Sequence, residues 1–258
     1  MKRDPYLFFT YDGTFEGILT CVFDAFDKKQ FPRQLLTHEA TLFSMENNYI
    51  TTDEWKADRV LKGLKKKLSS FAFHSLFTCW LSELKEVDLL LFNYICKTFT
   101  SPVSIELNFA DADVLGLSKI YKKVGKEAEM VRQFVRFQET KDKMYFASIK
   151  PLYNVLPLVA NFFQERFADQ QWIIYDIKRS YALYYDLTKT EIAYFDDLKM
   201  NQLNGKLYPE LLAEEERYFQ HTWKEYLQAI TIKERKNPNL QRQHMPKRFW
   251  KYLTEKQN

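Results

Sequence analysis

The sequence predicts an α+β protein with a largely helical N-terminal half, a central β-α-β-β-β unit whose sheet is mostly antiparallel, and a C-terminal helix followed by a basic tail. Long segments carry apolar residues at helical spacing, whereas residues 143–195 show short apolar runs bounded by turn residues. Glycine is scarce, at 6 of 258 residues, which disfavours a β-sandwich with many tight turns. The length fits a single domain over 1–258, with sub-regions 1–110, 111–200 and 201–258.

The N-terminal half is predicted to be one strand followed mainly by helices. Aromatic residues 6–11 form the strand, Asp12-Gly13 form a turn, and Thr14 caps a helix that ends near residue 27. Gly17, in the first turn of that helix, is either simply tolerated or needed for close backbone approach. The other expected elements are a short strand or hairpin at 41–49, a helix at 54–68 opened by a capping box at 51–54, and apolar helices at 70–84 and 87–99.

The second half is predicted to hold the sheet. Residues 111–137 form one long helix, or two helices with a bend at Gly125. Asn154 is expected to cap the helix of the central unit, with Pro157 in its first turn. The remaining predicted segments are strands at 143–149, 171–177, 181–186 and 191–195, the capped helix at 155–167, a linker at 196–209, a helix at 210–230 and a closing helix at 247–254.

The cysteine and hydropathy patterns predict a cytoplasmic protein. Cys21, Cys79 and Cys96 are odd in number and widely spaced, which is typical of buried, reduced thiols. No apolar run reaches about 18 residues, so we expect no membrane-spanning helix. The N-terminal segment lacks a small-residue cleavage site, so we expect no signal peptide.

Motifs for the common cofactors are missing. The sequence has no GxxxxGK(S/T), GxGxxG, HExxH, GxSxG or CxxC pattern, and its four histidines are scattered, so we expect no metal, flavin or nicotinamide cofactor. Asp176, Asp186 and Tyr153 are the candidate catalytic residues, because such side chains can act as acids or bases. Side chains alternate between the two faces of a sheet, so polar residues of strands often share a face by coincidence. A purely structural role of these aspartates is therefore the alternative.

The largest charge asymmetry lies at the C-terminus. Residues 231–258 contain eight basic and two acidic residues, giving +6 against +4 for the whole chain. The tail mixes cations, amides and aromatics, which can neutralise phosphates, reach base edges and stack on unpaired bases. The alternative is a basic tail packed on the core through Leu240, Met245 and Trp250. The candidate nucleic-acid contacts, here and at element ends elsewhere, are Arg136, Arg166, Lys178, Arg179, Arg235, Arg242, Lys247, Arg248 and Trp250.

Short motifs over nearly the whole chain resemble those of one bacterial family. They are Tyr11-Asp12-Gly13-Thr14-Phe15-Glu16-Gly17, Arg136-Phe137, Val155-Leu156-Pro157-Leu158, Phe163, Arg166-Phe167, Trp172, Ile174, Asp176, Arg179, Tyr185-Asp186, Glu234-Arg235, Asn237, Gln241, Met245-Pro246 and Arg248-Phe249-Trp250. The family comprises DNA metabolism and DNA repair proteins built on a domain of unknown function. The resemblance implies a role on DNA and a radical-SAM protein as partner.

Two features of that family do not transfer directly. Some relatives resemble this chain fused to a uracil-DNA-glycosylase-like domain, but the motifs of that domain are absent from the sequence, so the resemblance implies no glycosylase activity. Members often have His at the position of Tyr153, so a catalytic role of that His would not carry over unchanged.

Three functional hypotheses follow. The preferred one is a DNA-binding component of a repair or modification system, acting beside the radical-SAM partner, with cations on phosphates and Trp250 stacking on a base. The second is an enzyme acting on a damaged base, with Asp176, Asp186 and Tyr153 lining one pocket. The third is a protein-interaction adaptor whose aromatic helices at 70–99 offer a groove.

Overall fold

A computed structural model describes residues 4–37, 46–195, 199–201 and 203–256. Its helices and two separate sheets confirm the α+β class. The chain divides into two compact units, Met1–Gly125 and Lys126–Asn258, each with its own sheet. The expectation of one domain with three sub-regions stays a prediction.

The first unit contains a parallel sheet of three strands with β1 (Asp4–Tyr11) in the middle. β2 (Pro32–Thr37) and β3 (Glu46–Tyr49) pair with its two edges. β1 confirms the predicted first strand, and β3 confirms the end of the strand expected at 41–49, whose residues 41–45 lie outside the described part. β2 escapes the sequence pattern because polar residues 33 and 34 interrupt the alternation that marks a strand.

α1 (Phe15–Asp27) begins directly after the loop that leaves β1. The Thr14 hydroxyl oxygen accepts the Gly17 N–H at 2.9 Å, which confirms Thr14 as the cap. Asp12 Oδ1 accepts the Thr14 N–H at 3.0 Å. A Cβ on Gly17 would lie 2.5 Å from Asp12 Oδ1 and 2.6 Å from the Tyr11 ring. Gly17 is therefore needed for close approach.

The other helices of this part of the chain agree with the predicted ranges to within a few residues. They are α2 (Glu54–Lys67), α3 (Ser70–Trp80), α4 (Val87–Thr100) and α5 (Ala112–Phe134). Asp53 caps α2 by accepting the Lys56 N–H at 3.0 Å. α3 is shorter than predicted, and beyond its end Glu83 turns the chain with φ of 54°. α5 passes through Gly125 as one continuous helix, so the two-helix alternative is wrong.

All three cysteines are free and buried, as the sequence predicts. Burial raises the pKa of the Cys79 thiol to about 12. The thiol is therefore protonated at neutral pH. Buried neutral thiols are poor nucleophiles, so Cys79 contributes packing rather than chemistry.

The second unit is built on a five-stranded sheet in the order β4-β5-β6-β7-β8. β5 and β6 are parallel and connected through α6 (Leu156–Arg166), whereas the other pairs are antiparallel. This confirms the β-α-β-β-β unit with a mostly antiparallel sheet. The strands are β4 (Gln138–Glu139), which lies outside the predicted set, β5 (Tyr145–Ile149), β6 (Trp172–Asp176), β7 (Tyr181–Tyr185) and β8 (Thr190–Ala193).

Buried side chains lie on both faces of this sheet. On one face, Phe163 of α6 contacts the Trp172 ring at a centroid distance of 6.1 Å. On the other, Phe146 belongs to a buried cluster with Met200 and Leu207. The segment predicted to be a linker therefore supplies part of the core.

The chain ends in short helical segments. α7 (Glu216–Ile230) starts later than the predicted residue 210, because a 3-10 turn at Pro209–Leu211 precedes it. α8 (Pro238–His244) is too short to show a periodic pattern, and Asn237 caps it. α9 (Lys247–Trp250) and a 3-10 turn (Thr254–Lys256) take the place of the single closing helix.

Candidate functional site

The parallel strands β5 and β6 bring two connections to one edge of the sheet. Ile149 at the end of β5 pairs with Asp176 at the end of β6. The loop 150–155, which we call the carboxyl-edge loop, therefore lies beside the turn 177–180. In open, mostly parallel α/β sheets, ligands bind outside the carboxyl ends of the strands. β5 and β6 form a parallel pair in a mostly antiparallel sheet, so this edge is a candidate functional site by analogy.

Asn154 ties the carboxyl-edge loop to the sheet and does not cap α6. Val155 occupies the N-cap position without a side-chain hydrogen bond, so the predicted Asn154 cap is wrong. Asn154 Oδ1 instead accepts the Tyr181 hydroxyl at 2.5 Å. Pro157 removes one of the N–H groups that a cap would have to satisfy, which makes the missing cap less costly.

Asp176 organises the turn beside this loop. Its side chain is completely buried, and Oδ2 accepts Nη1 of Arg179 at 2.7 Å. Oδ1 accepts the N–H of Lys178 at 2.8 Å. Burial raises the pKa of the Asp176 carboxyl, although Arg179 acts in the opposite direction. In this arrangement the carboxylate of Asp176 anchors the turn 177–180.

The backbone of Leu152 is held from two sides. Its carbonyl accepts Nζ of Lys178 at 3.0 Å and Nη2 of Arg179 at 3.2 Å. Its N–H donates to Oε1 of Glu127 at 2.8 Å. Glu127 is only 3% exposed and also accepts Nη1 of Arg248 at 2.9 Å. Charged side chains from α5, the β6–β7 turn and α9 thus fix the loop that carries the half-buried Tyr153.

Tyr252 adds a buried hydroxyl to this region. Its oxygen has no hydrogen-bond partner among the described residues. Burial, followed by the negative charge of Asp176, raises the pKa of Tyr252 to about 12. The phenol therefore stays protonated at neutral pH and can donate a hydrogen bond.

The structure thus gathers some of the predicted residues around the carboxyl-edge loop and adds others. Asp176, Lys178, Arg179 and Arg248 all contribute to it, together with Tyr153 on the loop itself. The sequence interpretation did not assign Glu127, Tyr181 or Tyr252 to this site. A signal for Glu127 exists, because it lies three residues after Val124 and four before Val131, on the buried stripe of α5.

Asp186 lies elsewhere. β6 and β7 are antiparallel, with Asp176 opposite Tyr181 and Trp172 opposite Tyr185. Asp186 follows Tyr185, so the two aspartates lie at opposite ends of the strand pair, about 16 Å apart along five strand residues. The structure therefore does not bring Asp186 into one pocket with Asp176.

Part of the C-terminal tail is packed on the second unit. Phe249 is buried and contacts the Phe134 ring at a centroid distance of 5.4 Å. Trp250 donates its Nε1–H to the Met245 carbonyl at 2.9 Å, and Lys256 lies 4.9 Å from its ring centroid. The packed-tail alternative therefore describes residues 245–256. It does not extend to the largely exposed Leu240.

The candidate cations divide into two groups. Three guanidinium groups are engaged by carboxylates: Arg136 by Glu255 at 2.9 Å, Arg179 by Asp176 and Arg248 by Glu127. The other five candidate cations have exposed side chains: Arg166, Lys178, Arg235, Arg242 and Lys247. Of these, Lys178 also donates to Leu152, and Arg242 donates to the Pro238 carbonyl at 3.1 Å.

Residues 231–244, which we call the basic arm, are exposed throughout. Lys233, Arg235, Lys236 and Arg242 against Glu234 give the arm a net charge of +3. The first three of these cations have no ion-pair partner within the part of the chain that the structure describes. The arm is therefore a concentrated and largely uncompensated positive charge.

The aromatic helices at 70–99 are largely packed. Leu76 of α3 and Leu91, Phe92 and Ile95 of α4 are buried, while Phe71 is exposed and contacts Tyr121. Among the described residues, no helix is long and apolar enough to cross a membrane. Within the same residues, no cluster of three or more His, Cys, Asp or Glu side chains could hold a metal ion.

The fold and site together define an α+β protein whose five-stranded sheet carries an ion-paired loop at its carboxyl edge and a basic arm beyond α7. The family described as a domain of unknown function, DUF4130, matches residues 85–255. The chain belongs to this family, and the match includes the carboxyl-edge loop and the basic arm. No curated protein and no solved structure matches the chain.

Proposed function

We propose that this protein binds DNA, with the basic arm as the main phosphate-binding element. The exposed and uncompensated charge of +3 over residues 231–244 is the observation that carries the proposal. When a cation that is not paired with a carboxylate neutralises a phosphate, counterions condensed on the DNA are released. This release drives association with nucleic acid. The exposed Arg166, Lys178 and Lys247 extend the contact set, whereas Arg136, Arg179 and Arg248 hold the fold.

The test compares two triple variants of the full chain. The arm variant is Lys233→Gln, Arg235→Gln and Lys236→Gln. The matched control replaces the exposed Lys119, Lys122 and Lys123 of α5 by Gln in the same way. Affinity for single-stranded and duplex DNA is measured at two or more salt concentrations.

Loss of three phosphate contacts should reduce the slope of log affinity against log salt by about 2–3 in the arm variant. The α5 control should keep the slope of the unmodified chain. DNA affinity that is absent or insensitive to salt would end the proposal.

The cellular role that we propose is DNA repair or DNA modification in the cytoplasm, beside a radical-SAM protein. The resemblance of the chain's motifs to a family of DNA repair and DNA metabolism proteins supports this role, and the buried, reduced cysteines agree with a cytoplasmic location. Co-purification of the chain with a radical-SAM protein encoded beside it would support the pairing. Separate elution of the two proteins, with and without DNA, would contradict it.

A nucleic-acid-directed enzyme is the second candidate function, and the position of Tyr153 at the carboxyl edge of parallel strands favours it. The buried Tyr252 hydroxyl near Asp176 is a further hydrogen-bond donor there. Incubation with DNA that carries damaged bases should then yield a product, and Tyr153→Phe should abolish it. If the unmodified chain yields no product from any damaged base, the enzymatic candidate fails.

A further inference from the structure

α7 carries an exposed apolar stripe. Phe219, Trp223, Tyr226 and Ile230 are spaced by four, three and four residues and are 38% to 55% exposed. This spacing places all four on one face of the helix, over roughly 16 Å of its length. Exposed stripes of this kind mark interaction surfaces.

The side of α7 next to the stripe anchors the helix to the protein. Glu216 is buried, and its Oε2 accepts the N–H of Glu139 in β4 at 3.0 Å. Its Oε1 accepts Nε2 of Gln220 at 2.7 Å. At 100° per residue, Glu216 lies about 50° and Gln220 about 90° from the centre of the stripe, so the stripe adjoins the face that holds α7 in place.

The chemistry of the stripe is mainly aromatic. Three of its four members have rings, and those of Trp223 and Tyr226 lie nearly parallel, at 24°, with centroids 5.6 Å apart. Indole and phenol groups combine a flat apolar surface with a polar edge. The basic arm begins directly after the last turn of α7, so cations lie close to the stripe in sequence.

We infer that α7 and the basic arm together bind single-stranded nucleic acid, with bases stacked on the stripe and phosphates on the arm. Aromatic side chains beside a positive groove are the usual means of holding unpaired bases. Duplex DNA does not offer its base faces, because they are already stacked on one another. This inference rests on the proposed DNA binding and specifies its substrate as single-stranded.

The charge of the arm also selects among possible occupants of the stripe. A second copy of the chain would bring a second arm of charge +3 to the same place, and like charges repel. A polyanion instead satisfies both the apolar and the basic parts of the surface. The aromatic residues of the tail cannot replace the stripe, because Phe249 and Tyr252 are buried and Lys256 lies over Trp250.

The experiment uses the full chain and measures fluorescence anisotropy of labelled DNA. An oligothymidine of about 20 nucleotides is compared with a duplex of the same length. The stripe variant is Phe219→Ala with Tyr226→Ala, and the matched control is Tyr6→Ala with Tyr194→Ala, which removes two exposed rings elsewhere. Circular dichroism confirms that each variant folds.

We expect tighter binding of the oligothymidine than of the duplex, and a loss of about fivefold or more for each ring removed from the stripe. The salt dependence should stay unchanged in the stripe variant and fall in the arm variant. Equal affinity for both DNAs without loss in the stripe variant would overturn the inference and leave the proposed DNA binding intact.

Two other outcomes are also decisive. Absence of binding to either DNA would overturn both the inference and the proposed function. If the stripe variant dissociates an oligomer of the chain, or releases a protein partner, and its DNA affinity is unchanged, the stripe is a protein interface and the inference is wrong.

Discussion

Replacement of Gly205 by alanine tests how the second unit is packed. Gly205 has φ of 70°, and its carbonyl accepts the Ser148 hydroxyl at 2.9 Å. An added Cβ would lie 1.8 Å from Ser148 Oγ, 2.8 Å from Ser148 Cβ and 3.1 Å from Tyr252 Cδ1. Both the backbone conformation and the available space therefore exclude a methyl group.

The expected loss follows from these contacts. A left-handed conformation costs an alanine about 1–2 kcal/mol. Moving Ser148 away removes a hydrogen bond worth about 1 kcal/mol. The remaining overlap adds about 1–3 kcal/mol, as in overpacked cores, and the reduced entropy of the unfolded alanine chain offsets about 0.5 kcal/mol. We expect the free energy of unfolding of the second unit to fall by about 3–5 kcal/mol.

Urea denaturation followed by circular dichroism measures this loss. Gly125→Ala is the control, because a Cβ there meets no atom within 4 Å and the position is helical. That substitution should stabilise the chain by about 0.5–1 kcal/mol. Ser148→Gly in the Gly205→Ala background should recover part of the loss, since it removes both close atoms of Ser148. A Gly205→Ala chain as stable as the unmodified one would refute the close packing of Gly205 against Ser148.

Three further substitutions probe other parts of the structure. Arg248→Met leaves the buried Glu127 carboxylate without its cation and should lower the free energy of unfolding by about 2–3 kcal/mol. The loss is smaller than for a fully buried pair because the arginine is partly exposed. Addition of Glu127→Gln should recover part of that loss in the same assay, and no recovery would contradict the coupling of the two residues. The Thr188 hydroxyl and neighbouring N–H groups lower the pKa of Asp186 to about 2, so its contribution to stability is complete above its ordinary pKa of 3.8 and is lost as the pH falls towards 2. Acid denaturation of Asp186→Asn should therefore be less steep across that interval, and an unchanged profile would exclude the effect. Gly17→Ala places a Cβ 2.5 Å from a carboxylate oxygen of Asp12 and should lower the melting temperature of the first unit. An unchanged melting temperature would contradict the requirement for glycine at this position.

The second unit could be predicted from the sequence because its signals are local. Short apolar runs bounded by turn residues identify β5, β6 and β7, and Pro151 separates β5 from α6. β2 and β4 could not be predicted in this way. A two-residue strand such as β4 has no period of its own, and β2 owes its strand conformation to pairing with β1.

The candidate site was partly predictable for a related reason. Polar residues at the ends of predicted strands identified Asp176, Lys178 and Arg179, which the structure places together. Glu127 and Arg248 are 121 residues apart, and no local pattern joins two partners at that distance. Asp186 resembles Asp176 in the sequence, but strand direction sends the two to opposite ends of the sheet.

The basic tail shows why composition alone does not locate a nucleic-acid site. Arg248 and Arg235 contribute equally to the charge of residues 231–258, yet only Arg248 has a buried carboxylate as partner. A cation that leaves such a carboxylate to reach a phosphate exchanges one ion pair for another and leaves a buried charge behind, so its net contribution to binding is small or negative. A cation of the basic arm loses only hydration and counterions. The arm should therefore dominate the salt dependence of DNA binding, even though it holds only about half of the positive charge of the tail.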